Sequence, residues 1–184
     1  MIITITGKPC SGKGSISKYL CEKYNFEYIC TGDMFRELSK KHGYESILHF
    51  QTKNDKIKEF DKLIDNKIKK IGETRIHDDI IIDSRLAWYF IPNSYKVFVD
   101  IDWDIAADRL LQSKRETEQV KSHDHAITIL KNRWDTENDR YQELYNIDNT
   151  NLDNYDFVIK SDKSVENLAE AIYFEYKKFI DKKQ

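Results

Sequence analysis

The chain has 184 residues, a length typical of one domain, and its 30 Lys and Arg residues nearly balance 32 Asp and Glu residues. A formal charge of −2 argues against a general nucleic-acid binder, because neutralising phosphates requires a net basic surface. No stretch approaches the roughly 20 apolar residues of a membrane span. The three cysteines lack CxxC spacing, which is typical of reduced thiols. These features predict a cytoplasmic protein that binds neither nucleic acid nor membrane.

Glycine is scarce, yet three of the six glycines fall within the short segment from Gly7 to Gly14. A β-branched run, residues 2–6, precedes this segment and predicts a buried strand, and residues 15–24 follow with helical spacing of apolar side chains. A glycine loop between a strand and a helix forms an anion nest of N–H groups, to which a lysine adds a mobile positive charge. The sequence therefore predicts a phosphate-binding P-loop made of Gly7, Lys8, Pro9, Cys10, Ser11, Gly12, Lys13, Gly14 and Ser15.

The rest of the chain alternates between short apolar runs and amphipathic segments. Strands are predicted at 26–30, at 80–82 ending at Asp83, at 97–99 and at 155–159. A helix is predicted from Met34 to Lys41, with Thr31 or Asp33 as its N-cap. Further helices are predicted at 44–71, 103–111, 123–145 and 164–180, and residues 112–122 are too polar to pack as a core element.

This alternation predicts an α/β fold of the P-loop NTPase type, a parallel sheet of about five strands with helices on both faces. Residues 1–184 are expected to form a single domain. Ligands bind beyond the carboxyl ends of the strands in such sheets. The P-loop, Thr31-Gly32-Asp33 and Asp83-Ser84-Arg85 each follow a predicted strand, so all three polar clusters should converge on one edge.

Many cationic side chains could reach that edge. Phosphoryl transfer depends mostly on positioning and charge neutralisation, and arginine binds phosphate oxygens bidentately without losing its proton. A hydroxyl acceptor would also need a carboxylate base, whereas a phosphate is already nucleophilic near pH 7. The pattern therefore favours a phosphate acceptor, with the candidate cations Lys13, Arg36, Arg85, Arg109, Arg115, Arg133 and Arg140.

Several segments extend the pattern over nearly the whole chain, in order: Gly7 to Ser15, Thr31 to Arg36, Asp83 to Trp88, Arg109, Arg115, and Arg133 to Tyr141. Together they resemble the cytidylate kinase family, and most of all its compact, archaeal-type branch. The Gly-Lys-Gly-Ser ending of the loop is similar to that of nucleoside monophosphate kinases, since Gly14 stands where other P-loops have a Mg²⁺-binding hydroxyl. The resemblance implies phosphorylation of CMP or dCMP by ATP with Mg²⁺, and we expect a monomer.

The resemblance also implies residue roles. Lys13 and the loop amides would hold the ATP phosphates, and Asp33 and Asp83 would position Mg²⁺ through water. Acceptor binding would involve Thr31, Asp33, Arg36 and Arg85. Arg109 and Arg115 would flank a lid formed by residues 112–122, and Arg133 and Arg140 would complete a cationic collar.

Residues 37–75 would form a small helical insertion that binds the acceptor base. Within it, Asp61 and Asp65 lie one helical turn apart, so both can face the pocket. A carboxylate there could accept a hydrogen bond from the cytosine amino group or orient an arginine that donates to the base. A solvated helix face is an equally good interpretation of the two carboxylates.

Two alternatives remain open at this point. The same fold could phosphorylate AMP, UMP or a non-nucleotide acceptor, because base choice depends on a few hydrogen bonds in the pocket. A non-catalytic nucleotide-binding module is the second alternative. The complete set formed by Lys13, Asp83 and the arginines argues against it, since binding alone does not require all of them.

Overall fold

Strands and helices alternate along the chain in a computed structural model that describes residues 1–43, 57–113 and 120–182. The strands are β1 (Ile2–Gly7), β2 (Glu27–Cys30), β3 (Ile80–Asp83), β4 (Tyr95–Asp100) and β5 (Phe157–Lys160). The helices are α1 (Lys13–Tyr24), α2 (Thr31–Lys41), α3 (Ile57–Thr74), α4 (Ala87–Phe90), α5 (Trp103–Gln112), α6 (His123–Tyr145) and α7 (Val165–Asp181), with a 3₁₀ turn at Leu152–Asn154.

The described strands form one parallel sheet in the order β2-β3-β1-β4-β5. β1 lies at its centre, where Ile3 is paired with Ile81 on one side and with Tyr95 on the other. All six residues of β1 are buried, in agreement with the buried strand that the β-branched run in its sequence predicts. The predicted α/β fold with a parallel sheet of about five strands is therefore confirmed.

Helices cover both faces of the sheet. Ile3 and Ile5 of β1 pack in one buried cluster with Leu20 of α1 and Ile172 of α7. Ile2 points to the opposite face, where it packs in a second cluster with residues of α3 and α4. None of the helices in the described part of the chain is long and apolar enough to cross a membrane.

The predicted stripe on α3 is observed, with Ile57, Phe60, Ile64 and Ile68 buried. The first part of the helix predicted at 44–71, residues 44–56, lies outside the described residues. The sequence did not predict α4, a single turn too short to show a period.

The start of α2 differs from the prediction. The helix begins at Thr31 with Cys30 in the N-cap position, so neither Thr31 nor Asp33 caps it. The Thr31 hydroxyl instead donates to the carbonyl of Asp83 at 3.3 Å, which ties α2 to the end of β3. This long-range bond replaces the local capping bond that the sequence suggested.

Candidate active site

The P-loop leaves β1 in a backbone conformation that favours glycine. Gly7 has a φ of +149°, and a Cβ atom there would lie 2.1 Å from the carbonyl oxygen of Val99 on β4. Gly12 and Cys10 also have positive φ values, +84° and +59°. Gly12 precedes the first residue of α1, so the N–H groups of the loop and of the helix start share one concave surface.

Lys13 is the first residue of α1, and its amine folds back over the loop. Nζ lies 3.2 Å from the carbonyl of Gly7 and 3.4 Å from that of Lys8. Burial, and then the nearby guanidinium of Arg85, lowers the pKa of Lys13 to about 7. The Ser11 hydroxyl is buried without a hydrogen-bond partner among the described residues. Both polar groups would therefore gain from a phosphate in the loop.

The ends of β2 and β3 bring the predicted aspartates to the same edge. Asp83 Oδ2 lies 3.4 Å from the hydroxyl of Tyr28, which donates to it. Arg36 donates to Asp33 one turn away on α2, and this ion pair, with its hydrogen bond, lowers the pKa of Asp33. Arg36 and Asp33 are largely exposed, so the structure leaves the Arg36 guanidinium within reach of a ligand in the cleft.

Arg85 follows β3 and is held by a buried carboxylate. Its Nε lies 2.7 Å from Glu137 Oε2, and its Nη1 donates to the carbonyl of Gly7. The other oxygen of Glu137 accepts from Arg133 Nε at 3.0 Å. Burial alone would raise the pKa of Glu137, but the two guanidinium groups outweigh it and bring the pKa down to about 2. Glu137 therefore stays ionised and fixes two cations beside the P-loop.

Arg109 on α5 braces the P-loop from the opposite side. Its Nη1 lies 3.2 Å from the carbonyl of Cys10 and 2.8 Å from the hydroxyl of Ser161, and its Nη2 donates to the carbonyl of Ser161. Ser161 directly follows β5. Arg109 thus connects the loop after β1 to the loop after β5. Its predicted companion Arg115 lies outside the described residues, as does most of the predicted lid.

Asp61 and Asp65 both face inward from α3, so the solvated-face interpretation is wrong. Asp61 Oδ2 accepts from Arg140 Nε at 2.6 Å, and Asp65 Oδ2 accepts from the Tyr145 hydroxyl at 2.5 Å. Both partners belong to α6. Burial raises the pKa of Asp61, and it raises that of Asp65 to about 7.

A single cleft of about 740 Å³ collects these groups. The predicted residues that line it are Pro9 to Ser15, Thr31, Asp33, Arg36, Asp61, Asp65, Asp83, Arg85, Arg109, Arg133 and Arg140. Two predicted loop residues do not line the cleft. Gly7 is packed against β4. The Nζ atom of Lys8 lies 2.6 Å from Asp100 Oδ1 and over the ring of Trp103. The Lys8 side chain thus forms an ion pair with the last residue of β4, while the Lys8 backbone remains part of the loop.

Sequence reasoning missed Glu137, Tyr28, Tyr145 and Ser161. One pattern could have indicated Glu137, since it lies four residues after Arg133 on a predicted helix and such pairs share a face. The partners of the other three come from distant parts of the chain, so local spacing carries no trace of them.

Comparisons with known proteins agree with this geometry. The model of the cytidylate kinase-like family matches residues 2–163. The cytidylate kinase of Methanocaldococcus jannaschii is 34% identical over 168 residues, which cover 89% of each chain. That of Methanosarcina acetivorans is also 34% identical, over 89% of this chain and 88% of its own.

Among solved structures, shikimate kinase from Bacteroides thetaiotaomicron superimposes with a TM-score of 0.66, covering 96% of this chain and 98% of its own. At 14% identity this likeness concerns the fold alone, and it agrees with the P-loop kinase architecture. The residues that the family model matches, 2–163, include every residue that lines the cleft, from Pro9 to Tyr141. The chain belongs to the cytidylate kinase-like family and is a P-loop nucleoside monophosphate kinase.

Proposed function

We propose that this kinase transfers the γ-phosphoryl group of ATP to CMP or dCMP, yielding ADP and CDP or dCDP. The observation that carries the proposal is the distribution of charge in one cleft. Lys13 and the P-loop amides line one part of it, while Arg36, Arg85, Arg133 and Arg140 line the rest. Two phosphorylated ligands need this arrangement, because each brings negative charge that must be neutralised at close range.

The proposed chemistry needs no general base. The acceptor phosphate is itself the nucleophile, and its oxygen attacks the γ-phosphorus as the bond to the β-phosphate oxygen breaks. Arg85, held by Glu137, grips the acceptor phosphate together with Arg36. Lys13 neutralises the β- and γ-phosphates. Arg133, Arg140 and Arg109, with Arg115 from the lid, stabilise the charge spread over the transferring group.

The residues near the P-loop fit a Mg²⁺ ion bound mostly through water and phosphate. A Cβ atom at Gly14 would lie 3.4 Å from Asp83 Oδ2, so the missing side chain leaves room beside that carboxylate. Asp83 and Asp33 supply the oxygen ligands that Mg²⁺ prefers. The ion would neutralise charge on the ATP phosphates. Within the described residues, no three acidic, His or Cys side chains group tightly enough to hold a metal by themselves.

The proposal extends to the parts of the chain outside the described residues. Residues 37–75 form the acceptor-binding insertion and residues 112–122 the lid, within one domain of residues 1–184. The enzyme acts as a monomer in the cytoplasm. Similarity to archaeal cytidylate kinases supports the choice of CMP and dCMP over AMP, UMP or a non-nucleotide acceptor.

The proposal is tested by measuring ADP release from ATP and Mg²⁺ with CMP, dCMP, UMP, AMP or GMP offered separately. We expect turnover with CMP and dCMP. Activity should fall at least about 100-fold in Lys13→Ala, because this variant lacks the positive charge that neutralises the donor phosphates. Lys131→Ala is the matched control, since Lys131 is exposed on α6 away from the cleft.

Each other outcome contradicts a defined part of the proposal. Turnover with only a different nucleotide would keep the mechanism and reject the acceptor. Absence of ADP with all five nucleotides, together with nucleotide binding, would favour the non-catalytic module. Equal losses in Lys13→Ala and Lys131→Ala would show that the P-loop lysine has no special role.

A further inference from the structure

The backbone does not explain why residue 14 of the P-loop is a glycine. Gly14 is the second residue of α1 and its φ is not positive, so the backbone there would accept a side chain. Two oxygen atoms lie close by instead, since an ideal Cβ atom at Gly14 would be 3.4 Å from Asp83 Oδ2 and 3.7 Å from the hydroxyl of Tyr28. Other P-loops carry a Ser or Thr at this position, and its hydroxyl binds Mg²⁺. A hydroxyl from another strand, that of Tyr28, therefore lies beside the position where the loop hydroxyl is missing.

The sheet brings Tyr28 to this place. Tyr28 lies on β2, where it is paired with Ile81, two residues before Asp83 on β3. Its hydroxyl donates to Asp83 Oδ2 at 3.4 Å. On the other side, the ammonium of Lys18 on α1 lies 6.0 Å from the centroid of the Tyr28 ring, close enough for a cation–π contact. Tyr28 is therefore held between β3 and α1, with its hydroxyl beside both Gly14 and Asp83.

Different groups hold the backbone and the side chain of Asp83. Its carbonyl accepts from the Thr31 hydroxyl at 3.3 Å, and its carboxylate accepts from Tyr28 through Oδ2. In the described parts of the chain, Asp83 Oδ1 accepts no hydrogen bond. Gly14, Tyr28 and Asp83 all line the cleft. A carboxylate with one oxygen held by a donor and the other without a protein partner is suited to accept from a water molecule on a metal ion.

We propose that Tyr28 is a positioning residue for ATP with Mg²⁺, and that its hydroxyl replaces the Ser or Thr hydroxyl that the P-loop of this chain lacks. By donating to one oxygen of Asp83, the phenol fixes the direction of the carboxylate and leaves the second oxygen for water on the ion. This inference rests on the part of the proposed function in which ATP binds together with Mg²⁺, and it does not depend on the acceptor. It adds a residue from β2 to the donor side of the cleft.

The test measures the affinity for ATP by calorimetry, without an acceptor, once in Mg²⁺ and once in EDTA. In Tyr28→Phe we expect the Kd for ATP to rise about tenfold in Mg²⁺ and to stay unchanged in EDTA, because groups that orient metal ligands typically contribute roughly 10- to 100-fold to metal affinity. Phenylalanine keeps the ring that Lys18 contacts, so the variant loses only the hydroxyl. Titration of Mn²⁺ into the ATP complex, followed by EPR, measures the affinity for the metal directly and should show the same loss.

Two further variants separate the role of this hydroxyl from that of its surroundings. Tyr24→Phe is the matched control, because the Tyr24 hydroxyl also donates to a carboxylate, that of Glu170 at 2.8 Å, but lies outside the cleft. It should leave both affinities unchanged. Adding Gly14→Ser to Tyr28→Phe returns a hydroxyl to the space beside Asp83 and should recover most of the affinity lost in Mg²⁺. Gly14→Ser alone should bring no gain, since Tyr28 already donates to that carboxylate.

Equal losses of ATP affinity in Mg²⁺ and in EDTA would overturn the inference, since a residue that only supports the fold affects both alike. An unchanged affinity of Tyr28→Phe in Mg²⁺, or a double variant that binds no better than Tyr28→Phe, would overturn it as well. In these cases the wild type still binds ATP more tightly with Mg²⁺, and the proposed function stands. A wild type that binds ATP equally with and without Mg²⁺ would refute the metal in the proposed function and this inference with it.

Discussion

Arg85 is fixed in the cleft by Glu137, whose Oε2 lies 2.7 Å from the Arg85 Nε. The same carboxylate holds Arg133, so one buried acid on α6 fixes the position of two cations beside the P-loop. An arginine that is already oriented loses less side-chain entropy when a phosphate binds. Acceptor binding and catalysis should therefore both depend on the contacts that Glu137 makes with Arg85 and Arg133.

Replacing Glu137 by Gln should weaken this support. Leaving two guanidinium groups without their buried counter-charge costs roughly 3–5 kcal/mol, which corresponds to a decrease in Tm of about 10 °C for a chain of this size. We also expect kcat/KM for the acceptor to fall by about 100-fold. Thermal melts and steady-state kinetics measure the two effects. The control is Glu143→Gln, because Glu143 lies on the same helix in an exposed pair with Lys58, and such pairs contribute at most about 1 kcal/mol.

The same carboxylate makes stability depend on acid pH. Its pKa is about 2 in the folded protein, below the ordinary value of 4.5. The ionised form is therefore favoured by folding, so its contribution is complete above pH 4.5 and is lost as the pH falls towards 2. The lost stability is about 3 kcal/mol at 1.36 kcal/mol per pKa unit. Urea unfolding from pH 7 to pH 3 should show the stability gap between wild type and Glu137→Gln closing, whereas parallel curves would contradict this role.

Parts of the site that depend on local sequence were predictable, and parts that depend on packing were not. The P-loop and the polar residues at the strand ends follow from apolar runs and glycine positions, and they converge as predicted. Asp33 and Arg36 are three residues apart on a helix, so their ion pair could have been expected from spacing alone. By contrast, the partners of Asp61 and Asp65 lie about 80 residues away on α6. No periodicity in either helix identifies them, since their contact depends on how α3 and α6 pack.

The secondary structure shows the same division. The limits of β3 were clear because an apolar run ends at Asp83. β5 begins at Phe157, two residues later than predicted, because the ring of Tyr155 is buried next to Phe98 and its hydroxyl donates to Asn149. An aromatic residue before a strand resembles the strand itself in sequence. Only its contacts distinguish the two.

Binding of ATP should draw a proton from solution through Lys13. With a pKa of about 7 in the free protein, caused first by burial and then by Arg85, the amine is largely neutral at pH 8. The charge of bound phosphates raises that pKa again, so the bound amine is protonated. Calorimetric titrations in buffers of different ionisation enthalpy should detect uptake approaching one proton at pH 8 and little at pH 6. Lys13→Arg, which is charged in both states, should lose this uptake, and an unchanged uptake would refute the assignment.

Asp65 should make the stability of the protein depend on pH in the opposite sense to Glu137. Burial raises its pKa to about 7, above the ordinary value of 3.8, so folding favours the protonated form and the ionised form lowers stability at high pH. Asp65→Asn should therefore stabilise the free enzyme at pH 8, by at most about 4 kcal/mol, and the gain should shrink as the pH falls towards 4. Thermal melts of both proteins over this range measure it. A variant less stable than the wild type at pH 8 would show that the carboxylate is a net stabilising group.

Gly7 links the P-loop to the centre of the sheet, and any side chain there should be strongly destabilising. A Cβ atom would lie 2.1 Å from the Val99 carbonyl, which is backbone of β4 and cannot move without breaking the register of β1 and β4. The φ of +149° adds strain for any residue other than glycine. We expect Gly7→Ala to cost more than about 3 kcal/mol, measured by urea unfolding. The matched control is Gly43→Ala, which has a φ of +78° but meets no described atom within 4 Å, and backbone strain alone should cost it about 1 kcal/mol. Equal losses in the two variants would show that φ, and not the contact with β4, determines why glycine is needed at position 7.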